Sequence, residues 1–311
     1  MLYNILVKRK KEITMTISER LDMAIKLDEA KTEEGAYKLT YNGEIREKST
    51  YMTKPEWEAF LSAMPEKQKA FFEKGDGDEI TEKNGLPPKM ACYGSSSRLL
   101  YKLSRDIEGF VFEKKLPTTV GGKANLDGYL EAEDRLIFVE AKCHEPYSSK
   151  RCRVSVKYKE LYEYITANSK GNLEIKAEPS ACGRYLDVTF YTAGEKIEHL
   201  DIKQMICHLL GIATGILGGT LKRKKLGFIY LLYDPTRLPI KGNAKETVDG
   251  IYRQTVLECK GIDWCGLFSI ILEFLFKIKK KSAVISEEIA EIASTLELKL
   301  TSQDSYRELF K

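Results

Sequence analysis

In the first 90 residues of the chain, apolar residues recur at the spacing of a helix. Polar residues of the kind that begin helices stand just before these apolar stretches. The sequences TISE at 16–19 and TKPE at 53–56 both have the capping-box pattern, in which a Thr hydroxyl and a Glu carboxylate accept from backbone N–H groups of the first turn. Apolar residues then recur every three or four positions. Glycine, aspartate and proline follow over 75–88, a composition typical of a linker. The pattern predicts a helical N-terminal region over residues 1–90.

Beyond residue 90 the chain has short runs in which apolar and polar residues alternate, separated by stretches with helical spacing. The alternation predicts strands over 109–113, 124–130, 135–142, 185–191 and 226–233. The helical spacing predicts helices over 95–104, over 157–167 and from Asp201 to at least Gly215. This order indicates an α/β domain over residues 91–311, with a mixed β-sheet core flanked by helices.

The most apolar stretch of the chain covers residues 262–278 and contains Asp263 and Glu273. It is shorter than the roughly 20 apolar residues that span a bilayer. We therefore predict a buried helix here and no membrane partner.

Composition narrows the class of protein further. The 311 residues are 43% hydrophobic and 31% charged, which is enough apolar material for a packed core. A net charge of +4 does not by itself indicate a nucleic-acid partner. The seven cysteines include no C-x-x-C pair, which argues against a zinc knuckle and against a disulfide framework. Reduced thiols and a cytoplasmic location are the expectation.

The segment 125–142 carries the most informative chemistry. It predicts two strands joined by a polar turn at 131–134, and a hairpin centred on that turn places Asp127 opposite Glu140. Side chains alternate along a strand, so Glu140 and Lys142 share one face. Two carboxylates near each other are ligands that Mg²⁺ or Mn²⁺ prefers, with positions left for water and a substrate phosphate. A neighbouring lysine can orient that water and stabilise charge developing on the phosphoryl group.

Asp127 followed by Glu140-Ala141-Lys142 resembles the core motif of the PD-(D/E)XK nuclease superfamily, whose fold is restriction-endonuclease-like. The resemblance covers roughly residues 95–235. It implies metal binding by Asp127 and Glu140 with the Ala141 carbonyl, and hydrolysis of phosphodiester bonds, most often in DNA. It further implies that Lys142 positions or helps to deprotonate the attacking water. In this comparison Gln204, on the following helix, orients Lys142 or a phosphate.

The stretch 140–147 is closer still to an uncharacterised bacterial branch of that superfamily, in which a Ser-Ser pair opens the first helix, as Ser96 and Ser97 do here. Many relatives carry an additional Glu ligand on that helix. This chain has none there, and Glu108 and Glu113 are the nearby acids that could substitute for it. The alternatives are weaker binding of one metal, or a Glu145 side chain near the metal that supplies the missing oxygen.

A basic tract follows the expected site at once. It consists of Lys150, Arg151, Arg153, Lys157 and Lys159, with no acid among them. Contacts from these side chains to the nucleic-acid backbone are the functional interpretation, and a solvated face or loop is the alternative. Assembly into homo-oligomers is left open.

Simpler interpretations remain for several residues. Lys142 can form an ion pair with Asp127 or Glu140 on a solvated sheet face, and Gln204 and His208 can be a hydrogen-bonded seam in a packed core. We expect Cys143 to be a small buried residue and His144 to lie at the surface.

At the level of function, the alternative is a catalytically inactive nuclease-fold protein that acts as a nucleic-acid-binding or assembly module. The chain lacks a Walker loop, a G-x-G-x-x-G after a strand and a G-x-S-x-G motif, which excludes the commonest other enzyme classes.

Overall fold

The computed structural model describes residues 15–75, 78–148, 152–278 and 285–310. Its helices are α1 Ile17–Ala30, α2 Lys54–Ser62, α3 Glu66–Lys74, α4 Ser96–Ser104, α5 Lys159–Asn168, α6 Ile202–Leu217, α7 Asn243–Lys260, α8 Trp264–Ile278 and α9 Ile285–Ser294. Its strands are β1 Tyr37–Tyr41, β2 Glu44–Lys48, β3 Val111–Pro117, β4 Lys123–Glu131, β5 Arg135–Lys142, β6 Arg153–Ser155, β7 Glu174–Pro179, β8 Tyr185–Thr192, β9 Glu195–Lys196, β10 Lys225–Leu232 and β11 Leu296–Thr301.

Both predicted capping boxes are confirmed at the helix starts of the N-terminal region. Thr16 accepts from the Glu19 N–H while the Glu19 carboxylate accepts from the Thr16 N–H, and Thr53 and Glu56 repeat the arrangement before α2. The same region also contains a hairpin of β1 and β2 that the helical prediction omitted. Its turn is Asn42-Gly43, and both residues have positive φ. This is the pair that favours a tight two-residue hairpin turn.

The chain divides into two compact units. Unit 1 contains the described residues up to Lys102 together with Lys142–Ser148 and Tyr233–Tyr252. Unit 2 contains Leu103–Ala141 and the described residues of two later segments, from Ser149 to Leu232 and from Arg253 onward.

The main sheet of unit 2 has five strands in the order β11-β10-β5-β4-β3. Strands β3, β4 and β5 are antiparallel neighbours, whereas β11 runs parallel to β10, so the sheet is mixed. Strand β5 lies at the centre and is buried at every position after Arg135. The mixed α/β prediction is confirmed at this level.

A second antiparallel sheet in unit 2 has the strand order β6-β8-β7, with β9 paired to β8. Helix α6 packs on β3 and β4 and also contacts α8. The predicted buried helix is confirmed as α8, in which Phe268, Ile271 and Leu275 have no exposed surface. Among the described parts of the chain, no helix is both long enough and apolar enough to cross a membrane.

Candidate functional site

The hairpin of β4 and β5 has the register that the sequence predicts. Gly128 pairs with Val139 and Leu130 with Ile137, so the same register brings Asp127 opposite Glu140. The Ala141 N–H donates to Asp127 Oδ2 at 2.8 Å. Opposite residues of an antiparallel pair project to the same face, so the two carboxylates are neighbours on the central hairpin of the sheet.

Glu140 is fully buried, and its Oε2 lies 2.7 Å from Nε2 of His208, which is also buried. His208 comes from α6, whose other buried residues are apolar. A carboxylate with no exposed surface is costly without polar partners. His208 is therefore the polar partner that α6 provides for Glu140, the expected metal ligand.

Gln204 lies one helical turn before His208 and is partly buried. Its backbone N–H donates to Asp201 Oδ1 at 3.0 Å, which makes Asp201 the N-cap of α6. The predicted start of this helix at Asp201 is thus confirmed. The role of the Gln204 side chain stays a prediction.

Lys142 is the last residue of β5 and has 6% of its surface exposed. It lies two positions beyond Glu140 on the strand, with Ala141 between them, so both project to one face. Within unit 1, burial by itself would raise the pKa of Glu145, but the charges of Lys142 and His144 and bonds from Ser96 and the backbone lower it below its usual range. Lys142 is thus the ammonium group that favours an ionised carboxylate at Glu145.

Glu145 is held at the start of α4. The Ser96 hydroxyl lies 2.6 and 2.7 Å from its two carboxylate oxygens, and the Cys143 N–H donates to Oε2 at 2.9 Å. Ser96, the first residue of α4, is therefore a hydrogen-bond partner of Glu145. Whether Glu145 supplies an oxygen to a metal stays a prediction.

The basic tract is described only in part, because Lys150 and Arg151 lie outside the described residues. Arg153 forms an ion pair with Asp187 at 3.0 Å, and Lys159 lies 3.7 Å from Glu163. Lys157 is exposed. Arg153 and Lys159 thus already have acidic partners. To bind nucleic acid, they would have to exchange these carboxylates for phosphates.

A second polar cluster, which the sequence did not indicate, lies within unit 1. It consists of Asp22, Cys92 and His144. Asp22 Oδ1 is 2.9 Å from His144 Nδ1, and the Cys92 thiol donates to Asp22 Oδ2 at 3.5 Å. Asp22 and Cys92 are buried, whereas the His144 side chain is one-third exposed. The expectation that His144 is a surface residue is only partly right, because Asp22 holds the inner edge of its ring.

The electrostatics of this cluster follow from burial and from the Asp22 carboxylate. Burial alone would lower the pKa of His144, but hydrogen bonds to Asp22 and Cys92 and the nearby negative charges raise it to about 11. Burial raises the pKa of the Cys92 thiol. At neutral pH the shifts therefore favour a protonated His144 ring beside a protonated Cys92 thiol.

No local pattern in the sequence could have revealed this cluster, because its three residues come from α1, from the segment after the 3₁₀ turn Lys89–Ala91, and from the segment after β5. Only the tertiary structure brings them together. Comparison of the chain with protein families, with curated proteins and with solved structures gives no match.

Proposed function

We propose that this protein is a Mg²⁺- or Mn²⁺-dependent nuclease that hydrolyses phosphodiester bonds, in DNA as the first substrate to test. The observation that carries the proposal is the hairpin register, which makes Asp127 and Glu140 neighbours on the central strands and puts Lys142 two residues beyond Glu140. A strand buried on both faces has little reason to carry two charged residues unless they serve chemistry or pair with each other.

The donor set fits a hard divalent cation. Asp127 and Glu140 offer carboxylate oxygens and Ala141 adds a backbone carbonyl, and oxygen is the ligand atom that Mg²⁺ prefers. When bound, the cation would polarise a phosphate oxygen and lower the pKa of a coordinated water.

The chain's own residues would then position this chemistry. The Ala141 N–H fixes the orientation of the Asp127 carboxylate, and His208 fixes that of Glu140. Lys142 would hold the attacking water and stabilise negative charge on the phosphoryl oxygens, while Gln204 would orient Lys142 or a phosphate.

The complete burial of Glu140 favours a second candidate, a nuclease-fold protein that binds nucleic acid or assembles with partners without cleaving. In that case the contact between His208 and Glu140 is a structural hydrogen bond in the core. The two candidates differ in metal affinity and in turnover.

The test is cleavage of linear and supercoiled DNA by the full chain with Mg²⁺, with Mn²⁺ and with a chelator. We expect cleavage only with the cations, and a loss of about 100-fold or more in Lys142→Ala. Asp127→Asn should also abolish cation-dependent activity. Glu133→Gln, in the exposed turn of the same hairpin, is the matched control and should cut like the parent.

Equal cleavage by the parent and by Lys142→Ala would exclude this active site. Absence of cleavage in the parent, together with retained DNA binding, would favour the non-catalytic candidate.

A further inference from the structure

Three side chains with different donor atoms, none of them part of the proposed nuclease site, meet in unit 1. Asp22 offers a carboxylate oxygen, Cys92 a sulfur and His144 an imidazole nitrogen, and these atoms all lie within 4.8 Å of one another. The residues come from three segments that are distant in sequence, so this proximity is a product of the fold and not of local chain geometry.

The mixture of donors selects a class of cation. Sulfur and nitrogen ligands favour Zn²⁺ and similar transition metals, whereas Mg²⁺ and Ca²⁺ prefer oxygen alone. With usual Zn²⁺ bond lengths, two ligands of a tetrahedral site are about 3.4–3.6 Å apart. The Cys92 sulfur is 3.5 Å from Asp22 Oδ2, and His144 Nδ1 is 2.9 Å from the other carboxylate oxygen, Oδ1. Binding through a single Asp22 oxygen therefore requires these side chains to shift from their present positions, within a group whose ligand atoms already lie within 4.8 Å of one another.

Charge is consistent with a bound cation. Asp22 is 5% exposed, and a buried carboxylate requires a positive partner. In the structure His144 is the partner of this carboxylate. A divalent cation bound by one Asp22 oxygen, the Cys92 sulfur and a His144 nitrogen would supply the positive charge in its place, with the imidazole as a neutral ligand and the Cys92 sulfur as a thiolate.

A glycine packs directly against the side chains of this cluster. Gly94 packs so closely that a Cβ built on it would lie 1.7 Å from Asp22 Oδ1 and 3.3 Å from His144 Nδ1. Any side chain at this position would displace the ligand atoms. The His144 side chain is one-third exposed, so the cluster is within reach of solvent. Three protein ligands in a tetrahedral site would leave the fourth position for water.

From these observations we propose that Asp22, Cys92 and His144 form a binding site for one Zn²⁺-class cation, with three protein ligands and a fourth position for water or an added ligand. The proposal is independent of the nuclease function, because it concerns other residues and another class of metal.

Co²⁺ substitution tests the site directly in the full chain. After removal of metals with a chelator, titration with Co²⁺ should give one equivalent of tight binding, visible d–d bands of a tetrahedral ion and a thiolate-to-cobalt charge-transfer band. Zn²⁺ should displace the Co²⁺, and millimolar Mg²⁺ should not. Cys92→Ser should abolish the charge-transfer band, and Asp22→Asn should weaken binding by about 100-fold or more.

Two cysteines serve as matched controls. Cys143 is a buried thiol of the same unit that is not one of the three ligands, and Cys182 is an exposed thiol. Cys143→Ser and Cys182→Ser should both keep the parent's cobalt spectrum. Loss of the charge-transfer band in either control would overturn the assignment, and so would its persistence in Cys92→Ser.

X-ray absorption of the Zn²⁺-loaded parent provides a measurement that does not depend on the folding of variants. We expect one sulfur and three nitrogen or oxygen neighbours at zinc. Zero sulfur neighbours, two or more of them, or no stoichiometric binding at all would leave the cluster as a hydrogen-bonded ion pair and overturn the proposal.

Discussion

At the scale of single residues, unit 1 contains a buried ion pair whose contribution depends on pH. Arg98 is 6% exposed at its side chain and lies 2.5 Å from Glu29, which Lys102 also contacts. Burial by itself would raise the pKa of Glu29, but the bonds and charges of Arg98 and Lys102 lower it below 4.5. A lowered folded-state pKa means that the ion pair stabilises the protein above about pH 4.5, and that this contribution is lost as the pH falls through the folded-state value.

We therefore expect Glu29→Gln to lower the free energy of unfolding at pH 7 by about 2–3 kcal/mol, since Arg98 loses its buried partner. The difference from the parent should shrink between pH 7 and pH 3. Urea unfolding at both values measures it, with the exposed Glu33→Gln as a control that should stay within about 0.5 kcal/mol. A difference that stays constant or grows toward pH 3 would contradict the assignment.

At the scale of elements, the packing of α6 on the main sheet depends on a glycine. A Cβ at Gly211 would lie 2.6 Å from the Ala124 Cβ and 3.2 Å from the Leu116 Cβ. These atoms are fixed to the backbone of β4 and β3 and have no rotamer by which to move away. Overpacking of this kind should outweigh the better helix propensity of alanine.

We expect Gly211→Ala to destabilise unit 2 by about 1–3 kcal/mol. Gly250 in α7 is the matched control, because a Cβ there meets no atom within 4 Å. Gly250→Ala should stabilise the protein by about 0.5–1 kcal/mol through helix propensity. Thermal or urea unfolding of the two variants measures both effects, and stabilisation by Gly211→Ala would show that α6 does not need this close approach.

The elements also show what the sequence could predict. Strand β5 and the helix starts at Thr16 and Thr53 depend on local patterns, namely an apolar run bounded by turn residues and reciprocal side-chain bonds within one turn. Strand β7 has one buried position, Ile175, and so lacks the alternation that indicates a strand. Its extended form depends on pairing with β8.

Some contacts in the candidate sites could likewise be predicted from local sequence patterns, and others depend on tertiary packing. The Asp127–Glu140 pairing follows from the length of one turn, so it could be predicted. The contact of His208 with Glu140 depends on how α6 packs on the sheet, and the cluster of Asp22, Cys92 and His144 depends on three separate segments. Neither follows from spacing along the chain.

At the scale of the whole molecule, the charge is nearly balanced, with 50 basic and 46 acidic residues. A net charge of +4 creates little general attraction for nucleic acid, so any affinity must come from local groups. Lys157 and Lys159 are the exposed lysines of the basic tract that the structure describes. Each true phosphate contact should contribute about 0.9 to the slope of log affinity against log salt.

Replacing Lys157 and Lys159 with Gln should therefore weaken DNA binding equally on all sequences and flatten the salt slope by roughly two units. The measurement is a salt titration with Lys142→Ala as the non-cleaving background. Lys176→Gln with Lys299→Gln, at two exposed positions elsewhere in unit 2, is the control and should leave the slope unchanged. An unchanged slope in the tract variant would assign these lysines to solvent.

The edge position of β11 has a consequence for biosynthesis. This strand completes the main sheet beside β10, yet α7, α8 and α9 all lie between the two in sequence. A ribosome synthesises the chain from its N-terminus, so β10 can be placed against β5 long before residues 296–301 leave the exit tunnel. During that interval the unpaired edge of β10 is open to pairing with other nascent chains. Protection of this edge by a chaperone, or slow translation after β10, would therefore change the yield of native protein without altering any contact in the finished fold.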